Sequence, residues 1–217
     1  MTFEALKKEW DHLQKQYGDP TLTSIYGAGC LRHPDICFVF MNPTGRNVSS
    51  DPSWKGLRAP WIGTKNVWKL FAQLGLLPKK MYEQICLMPA DTWGPLFADE
   101  VYQQIANHRV YITNLAKSTQ KDARPLSDQI FRAYLPSFHQ ELLLLKPRHI
   151  IAFGNQVSSV LLDRSVCVSQ TRKQSFPLSI SHRTFQMYPT YYPVGQGMRN
   201  MSKAVEDILW IMNLSQK

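Results

Sequence analysis

Four short clusters end apolar runs in this chain. They are Asn42-Pro43 after Ile36–Met41, Asn114-Leu115-Ala116-Lys117 closing a run that starts at Arg109, Gly154-Asn155 after His149–Phe153, and Tyr191-Tyr192-Pro193 after Phe185–Tyr188. No Ser-His-Asp elbow, P-loop, His-Glu-x-x-His or paired-carboxylate motif accompanies them. Gly195-Gln196-Gly197 begins like a dinucleotide fingerprint but lacks the third glycine, and reads as a turn opening the last helix. The clusters therefore offer carboxamides, aromatic rings and nearby cations. Such a set suits recognition of a neutral base and stabilisation of a departing anion better than covalent catalysis.

The charge pattern points the same way. The 217 residues hold 25 Lys+Arg against 16 Asp+Glu, a formal charge of +9 with the six histidines neutral. Arg164 to Lys203 contains six Lys and Arg residues and no acid, and Thr44 to Lys69 holds Arg46, Lys55, Arg58, Lys65 and Lys69 against Asp51 alone. Trp54, Trp61 and Trp68 lie in one tract and Tyr188, Tyr191 and Tyr192 in the other. Cations that neutralise phosphates, interleaved with rings on which bases stack, are the footprint of a nucleic-acid surface. A hydrophobic content of 44% excludes disorder as the main state. The short apolar runs and charged N-terminus lead us to expect a soluble intracellular protein without a membrane span. Cys30, Cys37, Cys86 and Cys167 lack metal-ligand or disulfide-framework spacing, so neither a metal nor another cofactor is expected.

The elements that must position these clusters are legible as alternating strands and helices. Phe3, Leu6, Trp10, Leu13 and Tyr17 predict a first helix over 3–17. Strands are expected at 36–41, 109–115, 149–153 and 185–188, with helices at about 67–74, 79–88, 127–145, 157–162 and through Val205–Met212. Residues 92–98 read as irregular, and Pro136 is expected to kink or divide its helix. The expected fold is one α/β domain, a three-layer α/β/α sandwich around a four-stranded parallel sheet. In such sheets ligands bind beyond the carboxyl ends of the strands, where the four clusters lie.

Met41-Asn42-Pro43, Tyr111-Ile112-Thr113-Asn114-Leu115-Ala116-Lys117, Ile150-Ile151-Ala152-Phe153-Gly154 and a Tyr-Pro-Val turn before a terminal helix follow the motif order of the uracil-DNA glycosylase superfamily, which the chain resembles over about residues 36–210. The Asn-Pro resembles the mismatch-specific and single-strand-selective branches. Asn-Leu-Ala-Lys and the loop with Ala59-Pro60-Trp61-Ile62-Gly63 are closer to the iron–sulfur branch, although the cysteine spacing does not match that branch's cluster.

The resemblance implies excision of uracil or a related damaged base from single- or double-stranded DNA by a monomer. The base is flipped out, and its N-glycosidic bond is hydrolysed to leave an abasic site. It implies that Asn42 positions the attacking water and that Asn114 reads the base edge. Trp61 would stack on the flipped ring, with Met41 beside it. Arg46, Arg58, Lys117, Ser118, Gln196 and Arg199 are then expected to hold DNA. The third motif departs from the family: Tyr192-Pro193-Val194 stands where His-Pro-Ser is usual, so a Tyr192 hydroxyl would have to donate to the departing base. A catalytically silent nucleic-acid-binding module of the same fold, or an enzyme on free nucleosides, are the other readings. Each residue also has a plain role open to it: Asn42 and Asn114 as turn formers, Trp61 as loop packing, Lys117 and Arg199 as solvated charges. Asp51 reads as a solvated loop acid or as an alternative activator of water.

Overall fold

The computed structural model describes residues 2–123 and 126–214, without the side chain of Gln196. A single sheet runs through it. Its strands are β1 (Ala28–Gly29), β2 (Ile36–Phe40), β3 (Val110–Asn114), β4 (His149–Phe153), β5 (Phe176–Ile180) and β6 (Arg183–Thr190), in the order β1-β3-β2-β4-β6-β5. β3, β2, β4 and β6 are mutually parallel, whereas β1 and β5 pair antiparallel at the two edges. The sheet is therefore mixed and six-stranded, a correction to the four-stranded parallel expectation. β1 is too short to show a period, and β5 carries Pro177, which a strand tolerates at an edge.

The helices are α1 (Phe3–Tyr17), α2 (Asn66–Gln73), α3 (Lys79–Leu87), α4 (Pro95–Asn107), α5 (Asp128–Leu145), α6 (Asn155–Leu162), α7 (Val168–Thr171) and α8 (Met201–Leu214). The N-cap hydroxyls of Thr2 and Ser127 accept from Ala5 and Ile130 and so start α1 and α5. Residues 92–98 are less irregular than expected, because Pro95 opens α4 at a position where its missing N–H costs nothing. Ala98, Val101, Tyr102 and Ile105 then face the core at helical spacing. Pro136 leaves α5 undivided. Both Pro136 and Arg132, whose carbonyl loses its partner, face solvent, while Phe131, Tyr134, Phe138 and Leu142 hold the other side in the core.

Alternation along β2 separates two cores. Ile36, Phe38 and Phe40 pack with α2, α4 and α8, while Cys37 and Val39 pack with α1, α5 and α6. The registers Phe40↔Asn114 and Phe153↔Thr190 bring the carboxyl ends of the central strands to one edge. Among the described residues no helix is long and apolar enough to cross a membrane.

At the opposite edge, His149 at the start of β4 is 7% exposed, meets Tyr188 edge-on at 5.5 Å, and has no hydrogen-bond partner on either ring nitrogen. Burial, with Arg148 nearby, lowers its pKa below the usual imidazole value. The unfolded chain thus takes up a proton that the folded one refuses, and stability falls as pH drops below about 6.5. Melting temperatures measured from pH 7 to pH 5 should decline more steeply in the native protein than in His149→Leu.

Candidate active site

A pocket of about 560 Å³ opens at the carboxyl edge, within the size range of small-ligand sites. Asn42, Trp61, Asn114 and Tyr192, which come from four separate segments, all line it. Beneath them, Phe40 at the end of β2 stacks on Phe153 at 4.3 Å and receives the edges of Trp61 at 5.0 Å and Tyr192 at 6.1 Å. The last residues of two neighbouring strands thus back the Trp61 and Tyr192 rings from the core without lining the pocket themselves. Phe40 carried no separate signal in the sequence, because a ring inside an apolar run reads as core.

The two carboxamides are held differently. Asn42 Nδ2 donates to the carbonyl of Pro43 at 3.1 Å, and among the described residues its Oδ1 accepts no hydrogen bond. Asn114 is 2% exposed, and its Nδ2 is buried without a partner. An unmade bond of this kind costs about 1–3 kcal/mol, so the free protein carries a donor that a ligand carbonyl would satisfy. The strand ends bearing these amides are tied together by bonds from Leu115 N–H to the Phe40 carbonyl at 2.8 Å and from Ala116 N–H to the Met41 carbonyl at 3.1 Å.

Trp61 adopts φ = +71°, a conformation costly for a bulky residue. Its carbonyl accepts from the Thr64 N–H and hydroxyl and from Trp68 Nε1, which holds the turn in place. Its own indole N–H is buried and unpartnered. Thr64, Lys65 and Asn66, at the start of α2, continue the wall beside it, and the sequence reading had not included them in the site.

Tyr192 has no hydrogen-bond partner for its hydroxyl among the described residues, and burial raises its pKa above the usual phenol value. The hydroxyl therefore keeps its proton at neutral pH and remains a donor. Gly197 secures its backbone: a Cβ there would lie 1.9 Å from the Tyr192 carbonyl oxygen. Of the two glycines in the helical turn Gly195–Asn200 that leads into α8, Gly197 thus serves close packing, whereas Gly195 has open space around it and supplies a positive φ of 58°. Gly197→Ala must push Tyr192 out of place. A fall in thermal stability together with a change in Tyr192 fluorescence or NMR shifts is the expected reading.

Several other expectations need correction. Met41 does not line the pocket; alternation turns its side chain to the opposite face, against the α1–α5–α6 core. Lys117 is fully buried in an ion pair with Glu141, and Ser118 is fully buried and bonded to the Tyr134 hydroxyl, so neither reaches a DNA backbone. Arg58 spends its guanidinium on the Thr23 hydroxyl and on the carbonyls of Ser49, Asp51, Pro52 and Trp54, and so pins the long loop. Asp51, by contrast, is the exposed loop acid of its plainer reading, bonded to the Ser53 N–H and hydroxyl and outside the pocket. The side chain of Gln196 lies outside the described residues.

The acid-free tract is acid-free only along the chain. Arg172 and Lys173 meet Glu206 and Asp207 on α8, and Asp207 also accepts from Thr190 at the end of β6. Among the described residues, Arg46 and the exposed Lys65 line the pocket, and Arg199 is exposed on the turn before α8.

No curated protein matches the chain. A family model described as the uracil DNA glycosylase superfamily matches residues 26–210, a span that takes in all six strands and all four pocket-lining residues named above. With that match over most of its length, the chain belongs to the uracil-DNA glycosylase superfamily.

Proposed function

We propose that this domain, acting as a monomer, is a DNA glycosylase that hydrolyses the N-glycosidic bond of uracil or a related damaged base flipped out of DNA, leaving an abasic site. The observation that carries the reading is the convergence of Asn42, Trp61, Asn114 and Tyr192 on one pocket large enough to hold a flipped base. In this reading the Asn42 Oδ1 orients the attacking water. A dissociative, oxocarbenium-like transition state needs little proton abstraction, so an amide suffices for that role. Asn114 pairs with the edge of the flipped base. Its carboxamide offers both a donor and an acceptor, which fits the N3–H and O4 of uracil and misfits cytosine. Trp61 stacks on the ring, and the protonated Tyr192 hydroxyl donates to the oxygen where negative charge collects. Arg46 and Arg199 guide phosphates, which helps to offset the few kcal/mol that flipping costs.

Incubation with uracil-containing single- and double-stranded oligonucleotides, followed by alkaline cleavage, tests this directly. Strand scission at the uracil is expected. Salt-dependent binding that is indifferent to uracil, with no scission at high protein concentration, would instead favour a silent nucleic-acid-binding module, a reading that Tyr192 in the place of the family's histidine invites.

A further inference from the structure

We infer that Lys117 is a positioning residue: paired with Glu141, it holds the main-chain carbonyl of Asn114 and so sets the carboxamide in the pocket wall. Its consequence for catalysis rests on the glycosylase reading above. The Lys117 Nζ has three protons and three acceptors, Thr113 Oγ1 at 2.5 Å, the Asn114 carbonyl at 2.5 Å and Glu141 Oε2 at 2.7 Å. Glu141 Oε1 takes the Tyr111 hydroxyl at 2.8 Å and Thr113 Oγ1 at 3.0 Å. Both charged side chains are fully buried, and the Trp10 and Phe138 rings lie 4.8 and 5.4 Å from the ammonium. The network is closed and fully used.

Stability alone does not account for it. Burying two charges costs several kcal/mol per ion, and an apolar pair of similar volume is often as stable or more so. What an apolar pair lacks, besides acceptors for the Tyr111 and Thr113 hydroxyls, is the ammonium donor to the Asn114 carbonyl. β1 pairs only with Tyr111 and Ile112, so the outer side of β3 has no strand partner by the time the chain reaches Asn114. Lys117 fills that gap from one turn further along. The next two residues bond back to the carbonyls of Phe40 and Met41, immediately before Asn42, so the same clamp steadies both carboxamide-bearing strand ends.

The test is the charge-free pair Lys117→Met/Glu141→Leu, assayed where its melting temperature matches the native protein. Two measurements are made: hydrogen exchange at the Leu115 and Ala116 amides, and single-turnover release of uracil. Exchange should quicken about tenfold or more as the strand end loosens. Release should slow about 100-fold, the cost of an ångström-scale misplacement. Native exchange, or a native rate, in a variant of native stability overturns the inference. Lys117→Gln/Glu141→Gln, which keeps hydrogen-bonding groups without charge, replaces the apolar pair if that pair does not fold; intermediate values of both readouts are expected, and native values overturn the inference equally. Absence of uracil release by the native protein would sink the glycosylase reading while leaving the exchange measurement to decide the positioning role.

Discussion

Asn42→Ala is expected to slow uracil release about 100-fold or more, with little change in melting temperature or in affinity for abasic DNA. In the glycosylase reading, the size follows from what the residue would supply. A water molecule is a poor nucleophile whose reaction depends on being held in line with the breaking bond, and the Asn42 Oδ1 is the acceptor at the strand end available to hold it. The amide is itself fixed, since its Nδ2 is committed to the Pro43 carbonyl at 3.1 Å, so the orientation is prepared before substrate arrives. Stability should hardly move because Asn42 is half-buried at the pocket wall, outside the two cores. Single-turnover kinetics on a uracil oligonucleotide, with binding to an abasic oligonucleotide as control, decide the matter; a native rate would remove Asn42 from the chemistry.

Tyr192→Phe is expected to lower kcat by about 10²–10³-fold, equivalent to about 2.7–4 kcal/mol, while KM changes little. The phenol has no hydrogen-bond partner in the free protein among the described residues, so deleting it breaks nothing in the ground state. The loss should be confined to the transition state, where charge moves onto the base. Burial, by raising the pKa, also fixes the pH dependence. The hydroxyl is the protonated donor below its folded pKa and is lost only above it, so the native rate should show no Tyr192-linked fall up to at least about pH 10, the ordinary phenol value. A kcat equal to the native value in Tyr192→Phe would leave the departing base to other donors, and the Trp61 indole N–H, buried without a partner, is then the next to examine.

Much of the site was legible from residue order. A helix or strand shows itself through a local period, and β2, β3 and β4 fall within a residue or two of the apolar runs that predict them. β5 and α4 were harder to see for particular reasons. Phe176, Leu178 and Ile180 alternate over only five residues around a proline, and α4 begins at a Gly-Pro that resembles a loop. Side-chain direction at the end of β2 was hidden too. Met41 and Phe40 are adjacent and both apolar, and only the fold shows that Phe40 belongs to the α2–α4–α8 core beneath the site and Met41 to the other core.

By itself the sequence determined where the pocket would be. Four strand ends carrying Asn42, Asn114, Gly154 and Tyr192 had to share one edge once their strands ran parallel, because each strand in such a sheet points its carboxyl end the same way. Only the tertiary structure decided which cations are paired with acids and which stay exposed. Lys117 is neutralised by Glu141 from 24 residues away and Arg172 by Asp207 from 35, while the donors of Arg58 are taken up by carbonyls of the loop it pins. Charge acts through space, and its partners are fixed by packing rather than by neighbourhood in the chain. The +9 of the composition therefore says that cations are in excess, while the fold decides which are paired with acids; among the described residues Arg46, Lys65, which also donates to the Cys86 carbonyl, and Arg199 are exposed.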